Sequence, residues 1–135
     1  MVVKRRLGAE NSATRTQLLD AVEAVMREDG YGSLTARAVA ERAGLKHQLV
    51  YYYFQTMDDL LLAAFKRRID RGLERLERLV ELDNPIAAIW QDMTQTVDAR
   101  MAYEFNALAS HHEGIRAEVN RYLLHARAIE AGAIE

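Results

Sequence analysis

The 135-residue sequence predicts an all-α protein: a three-helix head containing a helix-turn-helix, then a longer helical region. Three observations predict it. Apolar residues recur at steps of three and four along most of the chain, and no stretch alternates as a strand would. There is one proline and no cysteine. Residues 35–53 read as a short helix, a glycine-containing turn and a second short helix.

Composition narrows the class further. Half the residues are hydrophobic and 28% are charged, as in ordered globular domains. The lack of cysteine excludes disulfides and thiolate metal sites. The opening residues are basic but contain no apolar segment of signal-peptide length. The longest unbroken apolar run, Leu60 to Phe65, is too short to span a bilayer. The expectation is a soluble, cytoplasmic chain that does not engage a membrane. Net charge is −2, but it is unevenly spread. Residues 1–54 hold eight Lys/Arg against six Asp/Glu, and residues 55–135 hold ten against fourteen. Lys4, Arg5, Arg6 and Arg15 gather at the front against a single Glu10. A mildly basic head on an acidic remainder suits a protein that meets phosphates at one end only; a frayed basic tail would have the same composition.

Residues 1–13 show no periodicity and are expected to form a flexible arm. Thr14 and Gln17 make a capping-box pair that predicts a helix start. Leu18, Val22 and Val25 follow at helical spacing, and Gly30 is placed to end the helix in a left-handed cap. Thr35 is a good N-cap for the second helix, which carries Val39, Ala40 and Ala43 and stops at Gly44. The third helix spans about Lys46 to Tyr53. Thr56 with Asp59 opens a long fourth helix to about Glu81, with Leu61, Phe65, Ile69, Leu73, Leu76 and Val80 on one face. Asn84 and Pro85 restart the chain. Ile86, Ile89, Trp90, Met93, Val97 and Met101 predict a fifth helix. A short sixth is expected over Tyr103–His111. Gly114 is read as an interruption, and Ile115, Val119, Tyr122, Leu123, Ala126 and Ile129 mark a seventh.

The segment Thr35–Phe54 carries the functional signal. A groove-reading helix needs a buried face to hold it and an outer face of polar side chains. Val50 and Phe54, four residues apart, with Leu45 before the helix, supply the first. Lys46, His47, Gln48 and Tyr52 supply the second. A lysine donates to guanine O6/N7 and a glutamine pairs with adenine N6/N7. Tyr51 and Tyr53 offer hydroxyls to phosphate, and Thr35 lies where backbone N–H groups attract one. Helical pairs with glycine turns also occur in proteins that bind no DNA, and three tyrosines also suit core and rim.

Residues 14–62 resemble the N-terminal domain of the tetracycline-repressor (TetR) family. The resemblance runs through Leu18-Leu19, Gly30-Tyr31, Leu34-Thr35, Val39 to Leu45, Tyr51 to Phe54 and Thr56 to Leu60. It implies a helix-turn-helix DNA-binding domain over 14–56 and a helical ligand-binding and dimerisation region over 57–135. It also implies a transcriptional regulator, most simply a ligand-responsive repressor, without enzymatic activity or cofactor. The implied partners are double-stranded palindromic operator DNA, a small-molecule effector and a second copy of the chain. Under this resemblance Thr35 and Tyr51 contact phosphate, Arg37 reaches a base edge or the backbone, and Lys46, His47, Gln48 and Tyr52 face the major groove. Two residues depart from the family pattern. Met57 stands where a phosphate-gripping lysine is usual, and Lys46 stands where a serine or threonine usually starts the recognition helix.

The second half resembles the family in pattern only. Trp90, Met93, Met101, Tyr103, Phe105 and His111 are candidates for lining a ligand pocket; helical spacing would equally place them in a core. The fourth helix is expected to carry ligand binding to the head. Family members usually continue with two further helices that build the dimer interface, so the regulatory region here is expected to be shortened. His111, His112, Glu113 and His125 do not make a metal set, because no His-x-x-x-His pair is present. No nucleophile elbow, phosphate loop or dinucleotide fingerprint appears. The competing readings are a helical adaptor that uses the head against protein, and a small-molecule binder without DNA binding.

Overall fold

The computed structural model describes residues 2–95 and 99–134, with side chains described for 13–95 and 101–132. Among the described residues there are seven α-helices, one 3-10 turn and no strand. They are α1 (Val2–Asp29), the 3-10 turn (Tyr31–Ser33), α2 (Ala36–Ala43), α3 (His47–Tyr53), α4 (Met57–Val80), α5 (Pro85–Gln95), α6 (Ala99–Ala109) and α7 (Glu113–Ile134). The chain packs as two compact units, residues 1–64 and 65–135, and α4 contributes to both.

In the first unit, α1 packs on α2 and α2 on α3. Leu18, Leu19, Ala21, Val22, Val25 and Met26 are buried on one face of α1. They meet Ala36, Val39 and Ala40 of α2, Val50 of α3, and Leu60, Leu61 and Ala64 of α4 in a single core. Each large side chain removed from water in this way contributes about 1.5–3 kcal/mol. Alanines on α2 let short helices approach closely. The capping-box expectation at Thr14 is corrected: α1 begins upstream, at Val2, and Thr14 lies inside it. A capping pair marks where a helix is able to start, and residues 2–13 contain no proline that would stop one from extending backward.

The two turns of the head depend on glycine. Gly30 has φ 83° and ψ 174°. Positive φ was expected there, but the ψ is extended and not that of a left-handed cap; almost only glycine takes this combination. Its amide donates to the carbonyls of Val25 and Met26 at 3.2 and 3.1 Å. Gly44 has φ 71° and ψ 30° and is left-handed. Its N–H donates to Glu41 O, and the Leu45 N–H reaches back to Ala40 O at 2.9 Å, which makes a Schellman closure of α2.

At the other helix starts the capping logic holds. Thr35 Oγ1 accepts from Ala38 N at 3.1 Å, and Thr56 Oγ1 accepts from Asp59 N at 3.0 Å. Asn84 Oδ1 accepts from Ala87 N at 3.2 Å, with Pro85 as the first helical residue. Lys46 precedes α3 without a side-chain cap.

In the second unit α6 packs against α7. The core holds Phe65, Ile69 and Leu76 of α4, Met101, Phe105 and Leu108 of α6, and Ile115 and Ala126 of α7. The Phe65 and Phe105 rings lie 4.3 Å apart. Glu118 is buried and is held by Arg121 at 2.8 Å and Lys66 at 3.9 Å; Arg121 also grips Asp70 at 2.8 Å. Hydrogen bonds to Asp70 and then Glu118 raise the Arg121 pKa above its ordinary value.

Two boundaries differ from expectation. The fifth helix ends at Gln95, so Met101 belongs to α6, which starts at Ala99 and not at Tyr103; Val97 lies outside the described residues. Gly114 does not interrupt a helix. It is the second residue of α7, and the break falls at His111 and His112. There the His112 ring Nδ1 accepts from Ile115 N at 3.1 Å, while the Arg116 guanidinium donates to the carbonyls of Ala109 and Ser110 at 3.0 and 2.9 Å. Both helix ends at this corner are thus satisfied by side chains.

Gly44→Ala forces an L-residue into the left-handed region and is expected to destabilise the protein by about 1–2 kcal/mol. Gly32 has open space around the position of an added methyl, so Gly32→Ala is expected within about 0.5 kcal/mol of the parent. Urea unfolding of the two variants checks the contrast.

Candidate functional site

The helix-turn-helix presents one exposed face. The 0% exposure of Val50 and 6% of Phe54 show what holds α3 on the head. The Arg15 guanidinium lies over the Phe54 ring at 5.2 Å, a cation–π contact that shields the ring from water. Leu45, expected in the same buried set, is only half-buried. With Val50 inward, the 3.6-residue repeat turns Gln48 and Tyr52 to the far side and Tyr51 to the flank. Lys46 and His47, four and three residues before Val50, are open because α3 only begins there, and all five are exposed. Tyr52 stands out furthest, at 73%. Tyr53 is half-buried and meets the Tyr52 ring edge-on at 5.1 Å, which limits the rotation of both. Thr35 and Arg37 are exposed at the start of α2. The Thr35 oxygen is occupied as a cap, but its O–H remains a donor.

Two supports of this face carried no periodic signal. Arg42 Nη1 and Nη2 each meet a carboxylate oxygen of Glu28 at 2.6 Å, a bidentate clamp between α2 and α1. The partners are fourteen residues apart in sequence, and no helical pairing rule connects them. Arg15 over Phe54 is equally non-local. Met57, in place of the family's usual lysine, is the half-buried first residue of α4, followed by Asp58 and Asp59 in the first turn.

The second unit contains a cleft of about 570 Å³ between α4, α5 and α7. Leu76, Leu79, Ile89, Met93, Leu123 and Ala126 form much of its apolar wall. Arg75, Asp92, Tyr122, Arg127 and Glu130 supply its polar groups. Arg75 Nε meets Asp92 at 3.4 Å. Burial, and secondarily the Glu130 carboxylate, raise the Tyr122 pKa above the ordinary phenol value. The six residues expected to line a pocket do not gather. Met93 alone among them lines this cleft. Met101 and Phe105 are buried in the α6 core, and Trp90, Tyr103 and His111 are exposed. Helical period identifies a face but not the neighbour that it meets. Ile86, Trp90 and Met93 form a stripe on α5 that stays 60–70% exposed.

Residues 18–64 match the family model described as bacterial regulatory proteins, tetR family. That match spans the helix-turn-helix and the start of α4. Over 107 residues, 78% of this chain, it is 31% identical to the nicotine-responsive transcriptional repressor HdnoR of Paenarthrobacter nicotinovorans, of which the match covers 55%. Over 61 residues, 45% of this chain, it is 33% identical to the fatty acid metabolism regulator protein of Bacillus subtilis, of which 31% is covered. The chain thus spans about a third to a half of the length of these curated relatives. A TetR transcription regulator from Haloarcula marismortui superposes with a TM-score of 0.76 over 91% of this chain and 69% of its own, at 22% identity. That likeness shows the fold: an all-α TetR architecture with an N-terminal helix-turn-helix.

Val50→Ala removes two buried carbons and leaves a cavity, with an expected cost of about 1.5–3 kcal/mol. Arg42→Ala breaks only an exposed pair, with an expected cost of about 1 kcal/mol or less. Thermal unfolding of both variants tests the ranking. The raised Tyr122 pKa means that the folded state favours the protonated phenol. Its stabilising contribution is present below the ordinary phenol pKa and is lost as pH rises through the raised value. Tyr122→Phe is therefore expected to flatten the alkaline fall in stability, as read by urea titrations at neutral and strongly alkaline pH.

Proposed function

We propose that this chain is a DNA-binding transcriptional regulator of the TetR family, acting as a ligand-responsive repressor in the cytoplasm. The observation that carries the reading is the exposure of Lys46, His47, Gln48, Tyr51 and Tyr52 on a helix anchored from behind by Val50 and Phe54. A head with that arrangement lays α3 in a major groove. Gln48 and Lys46 read base edges, His47 and Tyr52 add groove contacts, and Arg37 reaches a base edge or the backbone. Thr35, Tyr51 and Tyr53 contact phosphate and fix the register.

One such head reads one half-site. Two copies related by a twofold axis would read a palindromic operator, so the working form is a homodimer. The effector is a small molecule received by the second-unit cleft. Relatives support this division of labour: one matched repressor is named as nicotine-responsive. Among the described residues no helix is long and apolar enough to cross a membrane.

Fluorescence anisotropy on pooled genomic fragments, followed by selection from a random DNA pool, tests the reading. Affinity is expected to fall steeply with salt, with log K linear in log[salt]. Gln48→Ala is expected to relax preference at one base pair per half-site by about 1–3 kcal/mol. Tyr51→Phe removes a hydroxyl and is expected to weaken all sequences alike by about 0.5–1.5 kcal/mol. Binding that is absent, or indifferent to salt, would overturn the proposal in favour of a protein-interaction module.

A further inference from the structure

We propose that the cleft between α4, α5 and α7 selects an uncharged, largely apolar ligand carrying a hydrogen-bonding group, and discriminates against both anions and cations. The inference rests on the reading of this cleft as the effector site and adds the ligand's chemical class. At about 570 Å³ it is large enough for a molecule of several fused rings or a comparable aliphatic frame.

Its charged groups cancel. Arg75 and Asp92 are paired at 3.4 Å, so neither presents a full charge to a ligand. Arg127 and Glu130 face the same cleft, one turn apart on α7. An anion entering here meets as many carboxylates as guanidiniums, and so does a cation. Either would give up its hydration without a net opposite charge to replace it. A neutral molecule loses far less, and the apolar wall favours its entry.

Tyr122 supplies the polar anchor. Its ring packs against α4 where the chain has Gly72: a methyl built at that position would lie 3.4 Å from the Tyr122 Cε2 atom. The ring therefore packs close to α4 at this point, within van der Waals reach of a residue's Cβ position. The phenol is kept protonated by burial and by Glu130, so its O–H is available to a carbonyl, ether or hydroxyl oxygen.

Three probes that share one ring system test the charge preference: 1-pyrenebutanol, 1-pyrenebutyrate and 1-pyrenebutylamine, each titrated by fluorescence into the full chain. The alcohol is expected to bind at least tenfold more tightly than the acid or the amine. Arg127→Gln leaves the cleft net negative and is expected to shift preference toward the amine by two- to fivefold. Glu130→Gln is expected to shift it toward the acid by a similar factor. Both side chains are exposed, so neither change threatens the fold. Tyr122→Phe is expected to weaken the alcohol three- to tenfold while leaving unsubstituted pyrene unchanged. Tighter binding of either charged probe, or no shift in the two charge variants, would overturn the assignment of class and leave the effector reading standing. Failure of all three probes to bind would overturn both.

Discussion

Val50 has no surface left in water, and the head's chemistry depends on that burial. A seven-residue helix is too short to persist alone, because the cost of nucleation is not recovered over two turns. Packing supplies the difference. Val50 and Phe54 hold α3 against α1 and α2, and the helical repeat then dictates which side chains face outward. Arg15 over Phe54 and the Glu28–Arg42 clamp brace the same arrangement from two sides. A mispacked Val50 would rotate the whole outward set together, because a helix turns as a unit.

The turn between α2 and α3 is the second constraint on that face. Gly44 closes α2 with two backbone hydrogen bonds and reverses the chain within a few residues. Residues with a Cβ rarely take its φ, so the angle between the two helices depends on a missing side chain as much as on those present. Gly30 does the same between α1 and the 3-10 turn, with a different ψ.

The second unit follows a different logic. Its core is apolar around Phe65, Met101, Phe105 and Ile115, but α7 also meets α4 through charge: buried Glu118 with Arg121 and Lys66, and Arg121 with Asp70. Such a cluster is costly to desolvate and adds little net stability, yet losing one partner strands the others. It therefore fixes how α4 and α7 align more than how strongly they bind. The cleft lies further along the same two helices, where Arg75, Tyr122 and Glu130 line it.

The sequence by itself determined the helices and the outward set on α3. Caps at Thr35, Thr56 and Asn84, the stop at Gly44 and the apolar repeat are all local, and local patterns are written in residue order. The 3.6-residue period was enough to place Gln48 and Tyr52 opposite Val50 and Tyr51 beside them, while Lys46 and His47 are open because they begin the helix. Where the order misled, a permitted start or stop was not used: α1 runs through Thr14, and α7 begins before Gly114 because His112 caps it instead. Tertiary structure alone decided the rest. Periodicity marked Met101 and Phe105 as apolar positions, assigned to two different helices, but not whether they met a ligand cleft or a core. The answer depended on which other helix lay across from them. Glu28 with Arg42, Arg75 with Asp92, and Tyr122 against Gly72 come together only after the chain has folded back on itself. Contacts between distant residues are set by how helices pack, and packing has no signature in a single helix's sequence.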